Sequence, residues 1–385
     1  MNSLNNTVIL PGATIGIIGG GQLGRMMALS AKESGFRIAV LDPAEGGPCS
    51  EVADIEIIGG YDDKTALKRL ADVSDVITFE FENINSEALD WLQHHAYVPQ
   101  GTELLRISQD RIQEKERINA SGARTAPFFP ISELTELYDR IETLGLPCVL
   151  KTARGGYDGK GQLVIRTKDD IEKADALIQQ GTCVLEAWVP FEMEISVIVV
   201  RKANGGSSCF PVAENVHVNN ILHQTIVPAR IADSTAKAAI EKAMLIADAV
   251  ELVGIMAVEM FVKADGEIII NELAPRPHNT GHFSIEACKT SQFEQHIRAI
   301  CNWPLGSTEL IQPAVMINIL GQHMGKLMEA IPFLQDWKVH LYGKKDAKHN
   351  RKMGHVNILR ESAELAISEA EASGIWYENE MEAMR

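Results

Sequence analysis

Positive charge is what this chain has too little of. Its 36 lysines and arginines are outnumbered by 52 aspartates and glutamates, leaving a net charge of −16 over 385 residues. That balance offers no basic footprint for nucleic acid, so an anionic substrate would have to be met by local Lys and Arg clusters. Paired cysteines are also missing: Cys49, Cys148, Cys183, Cys209, Cys288 and Cys301 are scattered, with no CxxC. This excludes a disulfide frame or a thiolate zinc site, and free thiols fit a reducing compartment. No apolar run reaches the ~18 residues of a membrane span, and residues 1–12 lack the basic and apolar regions of a cleavable leader. The expected location is therefore the cytoplasm, with no membrane partner. Internal repeats and low-complexity tracts are absent as well. What remains, 45% hydrophobic and 23% charged, is ordinary for a soluble globular protein long enough for two or three domains.

The most informative stretch is residues 258–282, VEMFVKADGEIIINELAPRPHNTGH. Two apolar, β-prone runs flank Asp265-Gly266, a two-residue hairpin signal of type I′. With Ala264 facing Glu267, Met260 faces Asn271 and Glu259 faces Glu272, with Cβ atoms roughly 5 Å apart on one face. Two carboxylates held so close repel unless a shared proton or a hard divalent cation lies between them. The stiff polar segment 275–282 adds a cation and several donors. The hairpin alone leaves two readings open: a cation site beside an anion-holding loop, or two solvated glutamates on a polar face.

Earlier, residues 14–19 form a short apolar strand, and Gly19-Gly20-Gly21-Gln22-Leu23-Gly24 fits G-x-G-x-x-G before a helical stripe. A second strand ends in Asp42, 18 residues after Gly24, completing a dinucleotide fingerprint on paper. Such turns serve any α/β domain that binds an anion at a helix N-terminus, so the signal is weak. Strands at 56–58 and 76–79, a helix at 64–70, a helix at 86–94 and a short strand at 97–99 continue the pattern. The strand at 76–79 runs into Glu80-Phe81-Glu82-Asn83. Glu80 and Asn83 sit where open α/β sheets bind ligands, and Glu82 reads as a solvated or structural charge.

Residues 109–120 read as a charged helix, mostly solvated apart from Arg111, and residues 122–130 as a proline-broken linker. A helix at 132–144 capped by Ser132, strands at 148–152, 162–165 and 183–189, and a helix at 168–178 make a small α+β unit. Its loop ARGGYDGKG has four glycines in nine residues, which suits backbone donation to phosphates beneath it; it is not a Walker A loop. Lys151 would supply a fixed cation. Residues 185–194 put Glu186 and Glu194 at the rim of an apolar wall, suited to a purine and a ribose, or to a plain connecting strand. Strands at 194–200, 209–217 and 221–227, with a turn at Asn219-Asn220, and a helix at 234–250 lead into the hairpin. His217 is a ligand candidate or a satisfied sheet histidine. Beyond it come a helix at 292–300, strands at 314–320, 339–342 and 354–359, a helix at 362–373, and a loop flanked by Lys344 and Arg351 that could converge on a phosphate.

The order of these parts resembles the ATP-grasp superfamily. Within it, GGGQLGRM, FEFEN, KTARGGYDGKGQ and NELAPRPHNTGH resemble the N5-carboxyaminoimidazole ribonucleotide synthetases over residues 15–359, departing only at Thr280 and Phe283, which keep a hydroxyl and an aromatic. The resemblance implies an α/β and α+β chain: an N-terminal Rossmann-like domain (1–105), a linker helix and small ATP-grasp lobe (106–189), and a large lobe ending in a small β-rich C-terminal subdomain (190–385). It implies an ATP-dependent ligase that carboxylates 5-aminoimidazole ribonucleotide with bicarbonate, as a homodimer, with ATP and Mg²⁺ (or Mn²⁺). Arg111 and Lys151 would hold the ATP phosphates under Gly156, Tyr157, Asp158, Gly159, Lys160, Gly161 and Gln162. Glu186, Ala187, Trp188 and Val189 would line the adenine and Glu194 would take the ribose. His217 and Asn271 would complete the nucleotide site, and Glu259 and Glu272 would bind the metal. The ribonucleotide would meet Gln22, Leu23, Glu80, Asn83, Tyr157, Asp158, Arg276, His278, Lys344 and Arg351. Asp158, Arg276 and Lys151 would carry the chemistry, Asp158 by orienting the attacking amine. Two alternatives stand: a formate-dependent glycinamide ribonucleotide transformylase, and a nicotinamide oxidoreductase using Asp42.

Overall fold

The computed structural model describes residues 7–156 and 160–376. Three sheets organise them. The first is parallel, in the order Ile55–Ile58, Arg37–Asp42, Thr14–Ile18, Val76–Phe79. Its central strand, TIGII, is buried along its whole length, as a parallel strand covered on both faces should be. Ile15 and Ile17 enter one core with Met27 and Ile38, while Ile18 enters the other with Leu67, Leu70 and Phe79. The strand order reverses between Thr14–Ile18 and Val76–Phe79, so the glycine turn and Glu80 meet at the topological switch point. Residues 97–99 form no strand; Tyr97 only accepts one bond from Ile77 N–H, at 2.9 Å, and Pro99 has no N–H to extend a ladder.

The second sheet is antiparallel, in the order Phe128–Ile131, Cys183–Ala187, Cys148–Thr152, Gln162–Ile165. Phe128–Ile131 corrects the linker expected there: at a sheet edge, Pro130 can lose its N–H without cost to the ladder. The next helix is Leu134–Leu144, later than a Ser132 cap requires, because the Glu136 carboxylate accepts from Ser132 N–H at 2.8 Å and Glu133 N–H at 3.3 Å. Residues 168–178 form a 3₁₀ turn, Lys168–Ala174, continued by the short α-helix Asp175–Ile178.

The third sheet has nine strands. Its order is Ile268–Ala274, Gly254–Lys263, Phe191–Arg201, Ala213–Val218, Ile221–Val227, Ala314–Leu320, Lys352–Leu359, Lys338–Leu341, with Ser207–Cys209 beside Phe191–Arg201. The expected strand at 209–217 is broken in two at Phe210-Pro211, where proline removes a donor. Asn219 and Asn220 turn the chain at φ +51° and +62°, as expected. Helix Asp233–Ala249 packs on one face of this sheet through Ala239, Ala243 and Ile246. Helix Gln292–Ile300 covers the other face near the first sheet, and its Phe293, Ile297 and Ile300 share a core with Ile15 and Met27. His296 on that helix lies 2.8 Å from Thr78 Oγ1 and accepts from Ile255 N–H at 3.3 Å.

Candidate active site

The hairpin is Gly254–Lys263 paired with Ile268–Ala274. Its turn is not the expected two-residue one. Lys263 N–H donates to Glu267 O at 3.0 Å and Gly266 N–H to Lys263 O at 2.8 Å, so Ala264, Asp265 and Gly266 form a three-residue loop. Gly266 takes the left-handed position at φ +81°, which a side chain would strain. The longer loop shifts the register by one, so Met260 faces Ile270 rather than Asn271. Carried through, that shift would turn Glu272 onto the apolar face. A β-bulge at Glu259/Met260 absorbs it: Asn271 becomes the extra residue and Glu259 again faces Glu272. Asn271 and Glu272 therefore both line the cleft, although they are consecutive in a strand.

Burial, and then the charge of Glu272, pushes the Glu259 carboxyl above the usual range. His278 Nε2 lies 3.2 Å from Glu259 Oε1, and its Nδ1 accepts from Thr280 N–H at 3.4 Å. Burial and the nearby Arg276 hold that imidazole neutral, well below its ordinary pKa. Among the described residues, no group of three or more His, Cys, Asp or Glu forms a ready-made metal cage. Two repelling carboxylates at the wall of an open cleft do fit a Mg²⁺ ion whose other ligands are phosphate oxygens and water.

Helix Arg111–Ala120 crosses behind the site. Arg111 Nη1 donates to Thr152 O at 3.1 Å and Gly155 O at 2.6 Å, holding the entrance to the glycine-rich loop. Glu114 accepts from Leu273 N–H at 2.8 Å, and burial followed by the charge of Glu272 pushes its carboxyl up. Lys115 is fully buried, 3.2 Å from Glu186 Oε2 and 3.5 Å from Asn271 O. The expectation of a helix mostly solvated in its charges, with Arg111 the exception kept, is therefore corrected at Glu114 and Lys115. Arg111, Glu114, Lys115 and Ile118 have the i, i+3, i+4, i+7 spacing of a single helix face, and that face is turned inward. The spacing was the available signal.

Lys151 also reaches Glu186 Oε2, at 3.2 Å. Burial would raise the Glu186 carboxyl, but Lys151 and Lys115 together hold it below the ordinary range. Gly156 lies in the glycine-rich segment at φ +81°, and a Cβ there would lie 2.6 Å from Lys160 O. Tyr157, Asp158 and Gly159 lie outside the described residues. Lys160, Gly161 and Gln162 line the cleft, as do Ala187, Trp188 and Val189. Glu194 Oε2 lies 3.2 Å from His217 Nδ1, and this carboxylate keeps the imidazole above its ordinary pKa against the effect of burial.

In the first unit, the glycine turn is occupied by the protein's own carboxylates. Gly20 N–H donates to Asp42 at 2.6 Å, while Gly21 and Gly24 N–H donate to Glu80 at 2.5 and 2.7 Å. Asp42 also accepts from Ala44 N–H and Tyr61 Oη. The donors a dinucleotide pyrophosphate would use, and the acceptor its ribose would use, are thus already taken. Gln22, Leu23, Glu80 and Asn83 line the cleft. So does Glu82, which holds Arg276 in a two-pronged pair at 2.5 and 3.3 Å: of the solvated or structural charge expected it is the structural one, and it also lines the cleft. On the far side the cleft is lined by Lys352, but neither Lys344 nor Arg351 is part of its wall. Lys344 Nζ donates to Lys352 O at 2.7 Å, and Arg351 donates to Asp346 O at 2.9 Å.

All three sheets open onto this one cleft of about 880 Å³. Its first-sheet side is carboxylate and amide, its second-sheet side is apolar around Val149, Val164 and Trp188, and its floor carries the glutamate pair. Residues 12–109 match the ribonucleotide synthetase preATP-grasp domain, 116–293 the ATP-grasp domain, and 314–369 the phosphoribosylaminoimidazole carboxylase C-terminal domain. The N5-carboxyaminoimidazole ribonucleotide synthase of Bacillus subtilis is 52% identical over 367 residues, covering 95% of this chain and 96% of that protein. The chain belongs to the N5-carboxyaminoimidazole ribonucleotide synthase family. It is an ATP-dependent ligase of the ATP-grasp fold. The Staphylococcus aureus N5-carboxyaminoimidazole synthetase complexed with ADP superposes with a TM-score of 0.93 at 43% identity, covering 97% of this chain and 100% of that one. The Aspergillus clavatus synthase in complex with ADP and 5-aminoimidazole ribonucleotide superposes at 0.88 with 31% identity, covering 94% and 97%. Like these synthases, the chain serves purine biosynthesis. Among its described residues, no helix is long and apolar enough to cross a membrane.

Proposed function

We propose that the cleft carboxylates 5-aminoimidazole ribonucleotide with bicarbonate at the expense of ATP, with the residues acting as follows. The observation that carries this reading is the convergence, in one cleft, of Lys151 with Gly155, Gly156 and Gly161, the Glu259/Glu272 pair, and the Glu80 side of the first sheet. ATP lies along the second sheet, its adenine against Ala187, Trp188 and Val189, its ribose at Glu194 with His217 and Asn271 beside it. Lys151 and Arg111 hold its phosphates under the loop from Gly156 to Gln162. Glu259 and Glu272 would hold Mg²⁺, which would supply charge neutralisation at the phosphate oxygens. The ribonucleotide occupies the first-sheet side, against Gln22, Leu23, Glu80, Asn83, Arg276 and His278, with Lys344 and Arg351 closing on its 5′-phosphate.

Bicarbonate attacks the γ-phosphorus in line, ADP leaves, and carboxyphosphate forms. The exocyclic amine then forms a bond to the carboxyl carbon, phosphate leaves, and the amine loses a proton. Carboxyphosphate, or CO₂ released from it, is short-lived in water, so the covering loop must close first. The cations of Lys151 and Arg276 stabilise charge on the transferring oxygens, the largest single contribution such a site can make. Asp158 orients the amine. The Glu82 carboxylate keeps Arg276 extended toward the cleft, and His278, neutral and bonded to Glu259, can donate but not repel the cation. The chain is taken as three functional parts, 1–105, 106–189 and 190–385, working as a homodimer in the cytoplasm, where its free thiols stay reduced.

The deciding experiment is ADP release with MgATP, bicarbonate and 5-aminoimidazole ribonucleotide, each omitted in turn. Release that requires the ribonucleotide, with label from bicarbonate trapped in a labile product, is the expected result. Release with formate and glycinamide ribonucleotide instead would move the substrate assignment to a transformylase. Light scattering at twice the chain mass checks the dimer.

A further inference from the structure

Glu186 is a buried carboxylate with one lysine more than it needs. Lys115 and Lys151 both sit 3.2 Å from the same oxygen, Oε2, while Oε1 is buried with no hydrogen-bond partner. The two lysines are not equivalent. The Lys151 side chain is 17% exposed and lines the cleft; the Lys115 side chain is 2% exposed and does not. Lys115 comes from the helix behind the site and also points at Asn271 O, 3.5 Å away, in the bulge of the glutamate hairpin. One cation faces the cleft and the other is packed behind it.

We infer that Lys115 is a positioning residue: it remains on Glu186 as counter-ion when Lys151 leaves that carboxylate for the phosphates of the nucleotide, and so sets nucleotide affinity without touching the nucleotide. This rests on the reading of Lys151 as a phosphate ligand. The physical argument is one of stranded charge. A buried carboxylate that loses its only cation carries a large desolvation penalty. With Lys115 present, Lys151 can move a few ångströms and Glu186 stays paired. Without Lys115, every nucleotide bound through Lys151 would leave Glu186 unpaired, and that penalty would be subtracted from binding. Burial and the two lysines act on Glu186 in opposite directions, with the lysines prevailing, so in this arrangement the carboxylate is ionised and requires a partner. Lys115 also ties the Glu186 strand to the Asn271 bulge, so the counter-ion is fixed relative to the Glu259/Glu272 pair.

The test separates KM from kcat. Lys115→Met should raise the KM for MgATP at least tenfold while kcat at saturating MgATP stays within about threefold, because the group acts on binding alone. Lys115→Arg should restore the KM to within about threefold, since only charge and reach are required. A purely structural lysine would give a lowered melting temperature with KM unmoved, or a fall in kcat alone; either result overturns the inference. Lys151→Met is the control for the underlying reading: if it leaves the ATP KM unchanged, Lys151 is not a phosphate ligand and that reading fails. If Lys151→Met raises the KM and Lys115→Met does not, only the counter-ion role fails. Should Lys115→Met not fold, the unmodified enzyme decides the matter in a crystal with ADP. Lys115 within 3.5 Å of Glu186 and Lys151 beyond 4 Å is the expected arrangement, and Lys151 still on Glu186 would sink it.

Discussion

Glu259 and Glu272 illustrate how much a single pair of side chains can require of its surroundings. Facing each other across two strands and largely withdrawn from water, they need a cation or a proton between them. Glu272→Gln removes one of the two charges proposed to hold the metal and should lower kcat by a factor of about 10³ or more, the scale of losing a main electrostatic group, at any Mg²⁺ concentration. Near-normal turnover in a steady-state assay would remove the metal assignment. Chelation of the divalent ion should give the same loss in the unmodified enzyme. Lys344 provides a pH test. Burial, and then the charge of Arg351, pushes it down to about 8. If it holds the 5′-phosphate, kcat/KM for the ribonucleotide should fall as pH rises through 8, when the ammonium loses its proton, by roughly tenfold per pH unit beyond. Lys344→Arg keeps its charge and should flatten that limb; a limb unchanged by the substitution would assign it to another group.

At the scale of elements, the hairpin and the helix Arg111–Ala120 matter most. The pairing of Glu259 with Glu272 follows from the sequence only because two departures cancel: a loop one residue longer than expected and a bulge one residue wide. Deleting Asn271 should therefore regularise the ladder and leave the glutamates opposite each other, while removing the carbonyl near Lys115 and a cleft-facing side chain. The expected variant folds, turns over within about tenfold of the original rate, and shows a higher KM for MgATP. A loss as deep as that of Glu272→Gln would show instead that the bulge aligns the pair. The helix was harder to read. QDRIQEKERINA is so rich in charge that a solvated surface is the natural expectation, and only the spacing of Arg111, Glu114 and Lys115 says otherwise. Charged side chains reach buried positions in this way when each finds a partner, as these do at Gly155 O, Leu273 N–H and Glu186.

For the molecule as a whole, the cleft depends on how the first unit is seated on the large sheet. His296 joins them, touching Thr78 on one side and Ile255 N–H on the other. Burial lowers its pKa to about 3 from 6.5, so it is neutral when folded and takes up a proton on unfolding in acid. Its share of stability is complete above about pH 6.5 and is lost as pH falls toward 3, at about 1.4 kcal/mol per pH unit. His296→Gln can keep both hydrogen bonds and cannot titrate. Denaturant melts between pH 6.5 and 4.5 should show a shallower acid decline in the variant by that slope; identical slopes would mean that His296 is not the group responsible.

Local signals settled most of the elements: strands Val76–Phe79, Cys148–Thr152, Gln162–Ile165, Ile221–Val227 and Ala314–Leu320 and helix Gln292–Ile300 lie where periodicity and turn residues put them. They also marked the glycine-rich segments and the carboxylate-bearing hairpin, because those depend on residue type and spacing over a few positions. The tertiary structure alone decided that the dinucleotide-like turn is filled by Asp42 and Glu80, that Glu82 belongs to Arg276, and that Lys115 stands behind Glu186. Each is a contact between residues 22 to 194 positions apart. A charge acquires its meaning from the partner and the burial it meets there, and no window along the chain contains either.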